Sequence, residues 1–261
     1  VYELPHVLLL IDDKDGLFRR VAAKKKAFET LYDFELMLGG GSITGSRISG
    51  KVLDEVIGWI AEYEENVEGD LIYAVGDGNH SLASAKAFYE KVKAELGDAA
   101  LEHPARYALV ELTALQSRAL DFEAIYRVVT DCDVNDFLTE LNQITGEKKR
   151  CAHTVRVITE SEDREVSFLK KSHALTVGTL QIFLDDYLSR HPGVKCDYIH
   201  DEEALMELAK RENCVGFLFG GMKKSELFPY VQKNGTLPRK TFSMGEARSK
   251  RYYIEARKIT K

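Results

Sequence analysis

Asp77 and His80, set among glycines in Gly76-Asp77-Gly78-Asn79-His80-Ser81, are the residues whose types and spacing point most directly to chemistry. A carboxylate can orient a hydroxyl nucleophile or ligate Mg²⁺. An imidazole titrates near neutrality, so it can donate to an anion or move a proton. Glycine lets backbone N–H groups approach an anion closely. The apolar run that ends at Val75 reads as a strand, and Ser81–Leu96 reads as an amphipathic helix. Its apolar positions are Leu82, Ala85, Tyr89, Val92 and Leu96, with Gly97 as a stop. A strand, a glycine turn and a helix N-terminus make an anion site by geometry, because the first-turn N–H groups lack intrahelical partners. Gly76, Gly78, Asn79 and Ser81 are therefore candidate phosphate-binding residues. Asp77 and His80 are the candidate catalytic pair, and Asp77 is also the candidate Mg²⁺ ligand. The plainer alternative is a tight turn whose Asp or Asn caps the helix. No Gly-Lys-Ser/Thr follows, so this is not a Walker A loop.

Other clusters carry weaker signals. Arg239-Lys240-Thr241 follows Pro238 and reads either as a solvated basic turn or as cations folded back onto the anion. Gly39-Gly40-Gly41-Ser42-Ile43-Thr44-Gly45 could cradle a phosphate, but three glycines between strand-like runs are also an ordinary hairpin turn. Asp12-Asp13 at a strand end could hold Mg²⁺, and a polar Asp-Lys-Asp-Gly turn explains the pair equally well. His6, His103, His153, His173, His191 and His200 lack a metal-binding spacing. There is no G-x-S-x-G nucleophile elbow.

The elements that must position these residues alternate irregularly. Val7–Asp12 reads as a strand, Leu17–Thr30 as helical, and Tyr32–Leu38 with Ile43–Ile48 as a hairpin. Lys51–Glu65 is an expected helix. Tyr107–Thr113 and Ala124–Thr130 are expected to be neighbouring strands. Asp133 is placed to cap a short helix. A hairpin is expected over Thr154–Thr159 and Glu165–Leu169, and a helix over Thr176–Arg190. Acidic Asp201-Glu202-Glu203 opens a helix over Ala204–Arg211. Val215–Phe219 reads as a strand, Lys224–Lys233 as a helix and Arg251–Arg257 as a last strand. Irregular mixing of strands and helices favours α+β, with mixed sheets and helices packed on them. The polar break Lys148–Arg150 suggests a lobe 1–148 carrying the Gly-Asp-Gly-Asn-His loop and a smaller α+β lobe 149–261, or one large domain.

The 261 residues can bury a sizeable core, and 44% hydrophobic content excludes a disordered chain. No apolar run approaches the ~18 residues that span a bilayer. With 42 acidic against 36 basic residues, the net charge of −6 disfavours nucleic acid as a partner. Cys132, Cys151, Cys196 and Cys214 form no C-x-x-C, which fits reduced thiols and a cytoplasmic protein. Residue 1 is Val, so the native start is expected to lie upstream. A homo-oligomer is compatible with all of this.

Ala74-Val75-Gly76-Asp77-Gly78-Asn79-His80-Ser81 resembles the "A-D-G-H-H-R" segment of the bacterial family known as domain of unknown function 1015. Tyr32-Asp33-Phe34 with the Gly39–Gly45 loop is similar to a second stretch of that family. Ala124-Ile125-Tyr126-Arg127-Val128 resembles its "P-x-H-R-V" strand, and Leu237-Pro238-Arg239-Lys240-Thr241-Phe242 its "M-P-R-K-S-T" segment. The family segment is in turn similar to the ParB/sulfiredoxin-like fold, where a glycine turn and the next helix hold nucleotide phosphates. That resemblance implies a ParB/sulfiredoxin-like element around the loop, and ATP, ADP or CTP with Mg²⁺ as cofactor. Arg127, Arg239 and Lys240 then become the expected phosphate-neutralising bases. Asn79 stands at the first His position of the segment, Ser81 at the Arg position, and Tyr126 at the His of "H-R-V". Serine cannot hold a phosphate bidentately as arginine does. The expected function is a nucleotide-dependent phosphotransferase, kinase-like, acting on a small molecule. The alternatives are a non-catalytic nucleotide- or anion-binding module and a ParB-like nucleic-acid-associated protein, which net acidity disfavours.

Overall fold

The computed structural model describes residues 2–4, 7–147, 152–245 and 252–260. Among them are seven α-helices and several sheets, an α+β architecture. Two compact units emerge: Val1–Leu120 with Phe228–Lys233 and Ala247–Lys261, and Asp121–Leu227 with Asn234–Glu246. The polar break at 148–150, Cys151 and His6 lie outside the described residues.

In the first unit, Leu8–Ile11 is the middle strand of three. It runs antiparallel to Ala74–Asp77 and parallel to Glu111–Ala114. Leu10 and Ile11 are fully buried, as expected of an uninterrupted apolar run in a strand flanked on both edges. Glu29–Glu35 and Ser42–Arg47 form the expected antiparallel hairpin. The expected helix over Leu17–Thr30 is shorter: it stops at Ala23, passes through a 3₁₀ turn at Lys25–Ala27, and the chain becomes a strand at Glu29. The run Phe28–Phe34 is rich in β-branched and aromatic residues, and cross-strand pairing wins over the helical reading.

In the second unit, a six-stranded antiparallel sheet has the order Lys195–Ile199, Tyr126–Thr130, Val215–Leu218, Thr154–Ile158, Asp163–Phe168, Thr145–Gly146. Side chains alternate across it. Val129, Val155, Val157 and Phe217 pack against Phe137, Leu141, Leu180 and Leu184 from helices Val134–Ile144 and Thr176–Arg190. Val128, Ile158 and Leu218 pack on the other face against Leu205 and Ala209 of helix Glu202–Ala209.

Two sequence expectations are corrected here. The strands after Tyr107 and Ala124 are not neighbours: Glu111–Ala114 pairs with Leu8–Ile11, whereas Tyr126–Thr130 belongs to the six-stranded sheet. The final strand is not Arg251–Arg257 but the two residues Arg257–Lys258, paired with Tyr2–Glu3. The part of the expected strand at 252–256 is described without regular structure, and Arg251 lies outside the described residues.

Candidate anion site at the Gly78 helix start

Strand Ala74–Asp77 delivers the loop, with Asp77 opposite Leu8 in the ladder. The backbone then turns through Gly78 at φ 86°, ψ 20°. That left-handed conformation is steric strain for any residue with a Cβ, so glycine is required by geometry here. Helix Asn79–Leu96 starts at once, two residues earlier than the sequence pattern indicates, with Gly78 as its N-cap. Gly78 O accepts the Leu82 N–H at 2.9 Å, closing the first turn.

The N-cap residue Gly78 has no side chain with which to cap this helix. Asp77 Oδ1 accepts the Gly78 N–H at 2.8 Å, fixing the turn from the strand side. Its carboxylate is half-buried and engaged with the chain. Asn79 and His80 are exposed, and Ser81 is half-buried. Ser81 and Ser84 line a cavity of about 270 Å³, together with Glu3, Ala85, Phe88 and Ile259. Across the cavity wall, Glu3 is tied by the Arg257 guanidinium at 2.6 Å and by the Leu109 N–H at 3.1 Å. The arrangement offers helix-start amides with partial positive charge, a solvent-facing imidazole beside them, and a small hydroxyl-lined hollow.

The other candidate residues of the first unit are engaged structurally. Asp13 accepts the Leu17 and Phe18 N–H groups at 2.6 and 3.1 Å, so it caps the helix Leu17–Ala23. Asp12 accepts from Gln116 Nε2 at 2.6 Å and pairs with Lys14 at 2.9 Å. The glycine loop is a hairpin turn, with Leu36 N–H donating to Gly41 O at 2.7 Å. Gly45 lies beneath the Tyr32 ring, where a Cβ would fall 2.0 Å from a ring carbon.

Arg127, Arg239 and Lys240 come together in the second unit, 112 and 113 residues apart along the chain. Arg127 is fully buried. Its Nε donates to Gln181 Oε1 at 2.8 Å, Nη1 to the Ile125 and Tyr126 carbonyls at 2.5 and 3.4 Å, and Nη2 to the Arg239 and Lys240 carbonyls at 3.2 and 3.0 Å. Five acceptors match the five N–H donors of a guanidinium. The cation also lies 4.5 Å from the centroid of the Tyr198 ring. Burial moves its pKa below the ordinary arginine value. Gln181 Nε2 in turn donates to Asp185, which pairs with Arg239 at 2.9 Å. The Arg239 and Lys240 side chains are exposed, and Lys240 holds φ at 53° in the turn that Arg127 braces. Gln181, Asp185 and Tyr198 carry no motif, so nothing in the sequence singled them out. Only the i, i+4 spacing of Gln181 and Asp185 on a helix was legible.

Residues 2–187 match the family described as "Protein of unknown function (DUF1015)", and the chain belongs to that family. No curated protein matches the chain. Among solved structures, it is similar to a mutant of free serine kinase in complex with AMP, with TM-score 0.50 and 11% identity over 100% of this chain and 91% of that one. It is also similar to SbnI with a C-terminal truncation from Staphylococcus aureus, with TM-score 0.43 and 12% identity over 93% and 80% of the two chains. A conserved hypothetical protein from Pyrococcus furiosus gives TM-score 0.41 and 9% identity over 95% and 90%. At 11% identity the likeness to the free serine kinase is one of fold alone.

Proposed function

We propose that this protein binds a nucleotide through the Gly78 helix start and transfers a phosphoryl group to a small molecule. The observation that carries the reading is the 18-residue helix Asn79–Leu96 beginning on a left-handed glycine, a residue that makes no side-chain cap of its own. First-turn amides at such a helix start are an anion receptor by their geometry. The fold shared with an AMP-bound free serine kinase supports the reading. In phosphoryl transfer the protein chiefly positions groups and stabilises charge. The backbone at Gly76 and Asn79, with the Ser81 hydroxyl, would hold phosphate oxygens, while Gly78, its N–H given to Asp77, shapes the turn. His80 would donate to a phosphate or move the nucleophile's proton. Asp77 would hold the turn and orient a hydroxyl or a Mg²⁺ ion beside it. Arg127, with every donor committed to the chain, would act as a brace of the second unit and not as a phosphate ligand. ATP or ADP is the expected nucleotide. CTP is the alternative nucleotide, and a ParB/sulfiredoxin-like geometry of the loop is part of the same proposal.

Calorimetry with ATP, ADP, AMP and CTP, with and without Mg²⁺, is the direct test. Saturable binding is expected, weakened in His80→Ala by about 1–3 kcal/mol, the usual cost of a lost charge-assisted hydrogen bond. An absence of binding to all four nucleotides overturns the proposal. Asn79 and Ser81 replace the His and Arg of the family segment, which favours a second reading as a binding module without turnover. Binding with no phosphorylated product would select that reading.

A further inference from the structure

We propose that Asp136, Glu140 and His191 of the second unit form a binding site for one divalent transition-metal ion of the zinc class. The site is separate from the Gly78 loop, and its test does not depend on nucleotide binding. One donor atom from each of the three side chains lies within 4.8 Å of the others. Asp136 and Glu140 are an i, i+4 pair on helix Val134–Ile144, so their carboxylates share one helix face. His191 follows directly on helix Thr176–Arg190 and turns its ring onto that face.

The histidine is prepared as a ligand. Its Nδ1 lies 2.9 Å from the Tyr187 carbonyl oxygen. A carbonyl only accepts, so Nδ1 carries the hydrogen and Nε2 is the ring nitrogen left to act as a ligand. The ring is stacked on buried Tyr187, centroids 3.9 Å apart and 15° from parallel, which fixes its plane. Nε2 then faces Asp136 Oδ2 at 3.3 Å and Glu140 Oε1 at 4.0 Å. A cation placed between the ring nitrogen and the two carboxylate oxygens would be held by all three donors. Two donors each about 2.1 Å from a tetrahedral ion stand ~3.4 Å apart, close to the Asp136–His191 spacing.

Both carboxylates are also fixed in place by neighbouring side chains, through the same oxygens that face His191. The Tyr187 hydroxyl donates to Asp136 Oδ2 at 3.0 Å, and Arg190 grips both Glu140 oxygens at 2.9 and 2.6 Å. Outer contacts of this kind orient the donors of metal sites. One imidazole and two carboxylates suit zinc, or manganese as a harder substitute. The three side chains are partly exposed, so solvent can reach the ion and complete its coordination.

Zinc titration by calorimetry on the metal-stripped chain tests the site. The expected result is one Zn²⁺ per chain with a dissociation constant on the order of micromolar, unaffected by millimolar Mg²⁺. Asp136→Asn and His191→Gln should each weaken it by roughly tenfold or more, while His200→Gln leaves it unchanged. Thermal melts supply a second readout, since Zn²⁺ should raise the Tm of the parent but of neither site variant. A parent chain that takes up no zinc, or site variants that bind as tightly as the parent, would overturn the proposal.

Discussion

The Gly78 helix start and the Arg127 turn carry the same kinds of residue and use them in opposite ways. Both lie on family-like segments, and both present groups that recognise anions. At Gly78 the helix starts on a residue with no side chain to cap it, and His80 is exposed. At Arg127 the guanidinium is buried, and its five donors end on Gln181 and four carbonyls. A residue's capacity to bind phosphate is therefore set by where its donors point. An arginine inside the sheet unit is a fastener between distant turns, whereas backbone N–H groups at a helix start form a receptor.

Arg127→Met gives the largest expected effect. It leaves Gln181 Oε1 and the turn carbonyls without partners, and breaking a buried charged network costs about 3–5 kcal/mol. Urea unfolding should show that loss. A variant as stable as the parent would dissolve the distinction drawn between the two regions. Phe137, fully buried at the centre of the helix–sheet core with Phe183, Tyr187 and Phe217 around it, calibrates the same scale. Phe137→Ala should cost about 3–5 kcal/mol.

Gly78→Val probes the receptor side. A left-handed φ forced on a β-branched residue should cost about 1–2 kcal/mol of stability, and nucleotide affinity should fall with it. His80→Ala is expected to do the reverse of Arg127→Met: stability within about 0.5 kcal/mol of the parent, as for an exposed side chain, but weaker nucleotide binding by calorimetry. If His80→Ala destabilised the fold and left binding intact, the roles assigned to the two regions would be exchanged.

The smallest effect is one of pH. Burial lowers the pKa of His153 below the ordinary histidine value, with Lys171 acting in the same direction. Its Nδ1 lies 2.8 Å from Thr179 Oγ1 inside the second unit. The folded state thus binds a proton less readily than the unfolded chain. The stability that neutral His153 contributes is present above the unfolded pKa of about 6.5. It declines as the pH falls through that value toward the lower folded pKa. Urea midpoints measured across mildly acidic pH should show this slope, and His153→Asn should flatten it.

Local signals were legible where one short stretch decides its own structure. Asp133 caps Val134–Ile144 through the Asn135 and Asp136 N–H groups, as an aspartate before an apolar helical pattern should. Thr154–Ile158 and Asp163–Phe168 pair as a hairpin around a polar turn, and Thr176–Arg190 is a helix over its full expected span. The strand Lys195–Ile199 escaped notice because an edge strand of alternating charged and apolar residues has no strong pattern of its own. Its place comes from pairing with Tyr126–Thr130. The helix start at Asn79 was read two residues late because the apolar period begins at Leu82, whereas glycine geometry sets the true start.

By itself the sequence determined the α+β class, the glycine turn before the third helix and the family membership, because each rests on residue types within a few positions of one another. Tertiary structure alone decided that Arg127 is internal and His80 external. It also decided that His191 meets Asp136 and Glu140. Those outcomes depend on which donors meet which acceptors across more than fifty residues of chain, and hydrogen-bond satisfaction at that range is a property of the folded packing.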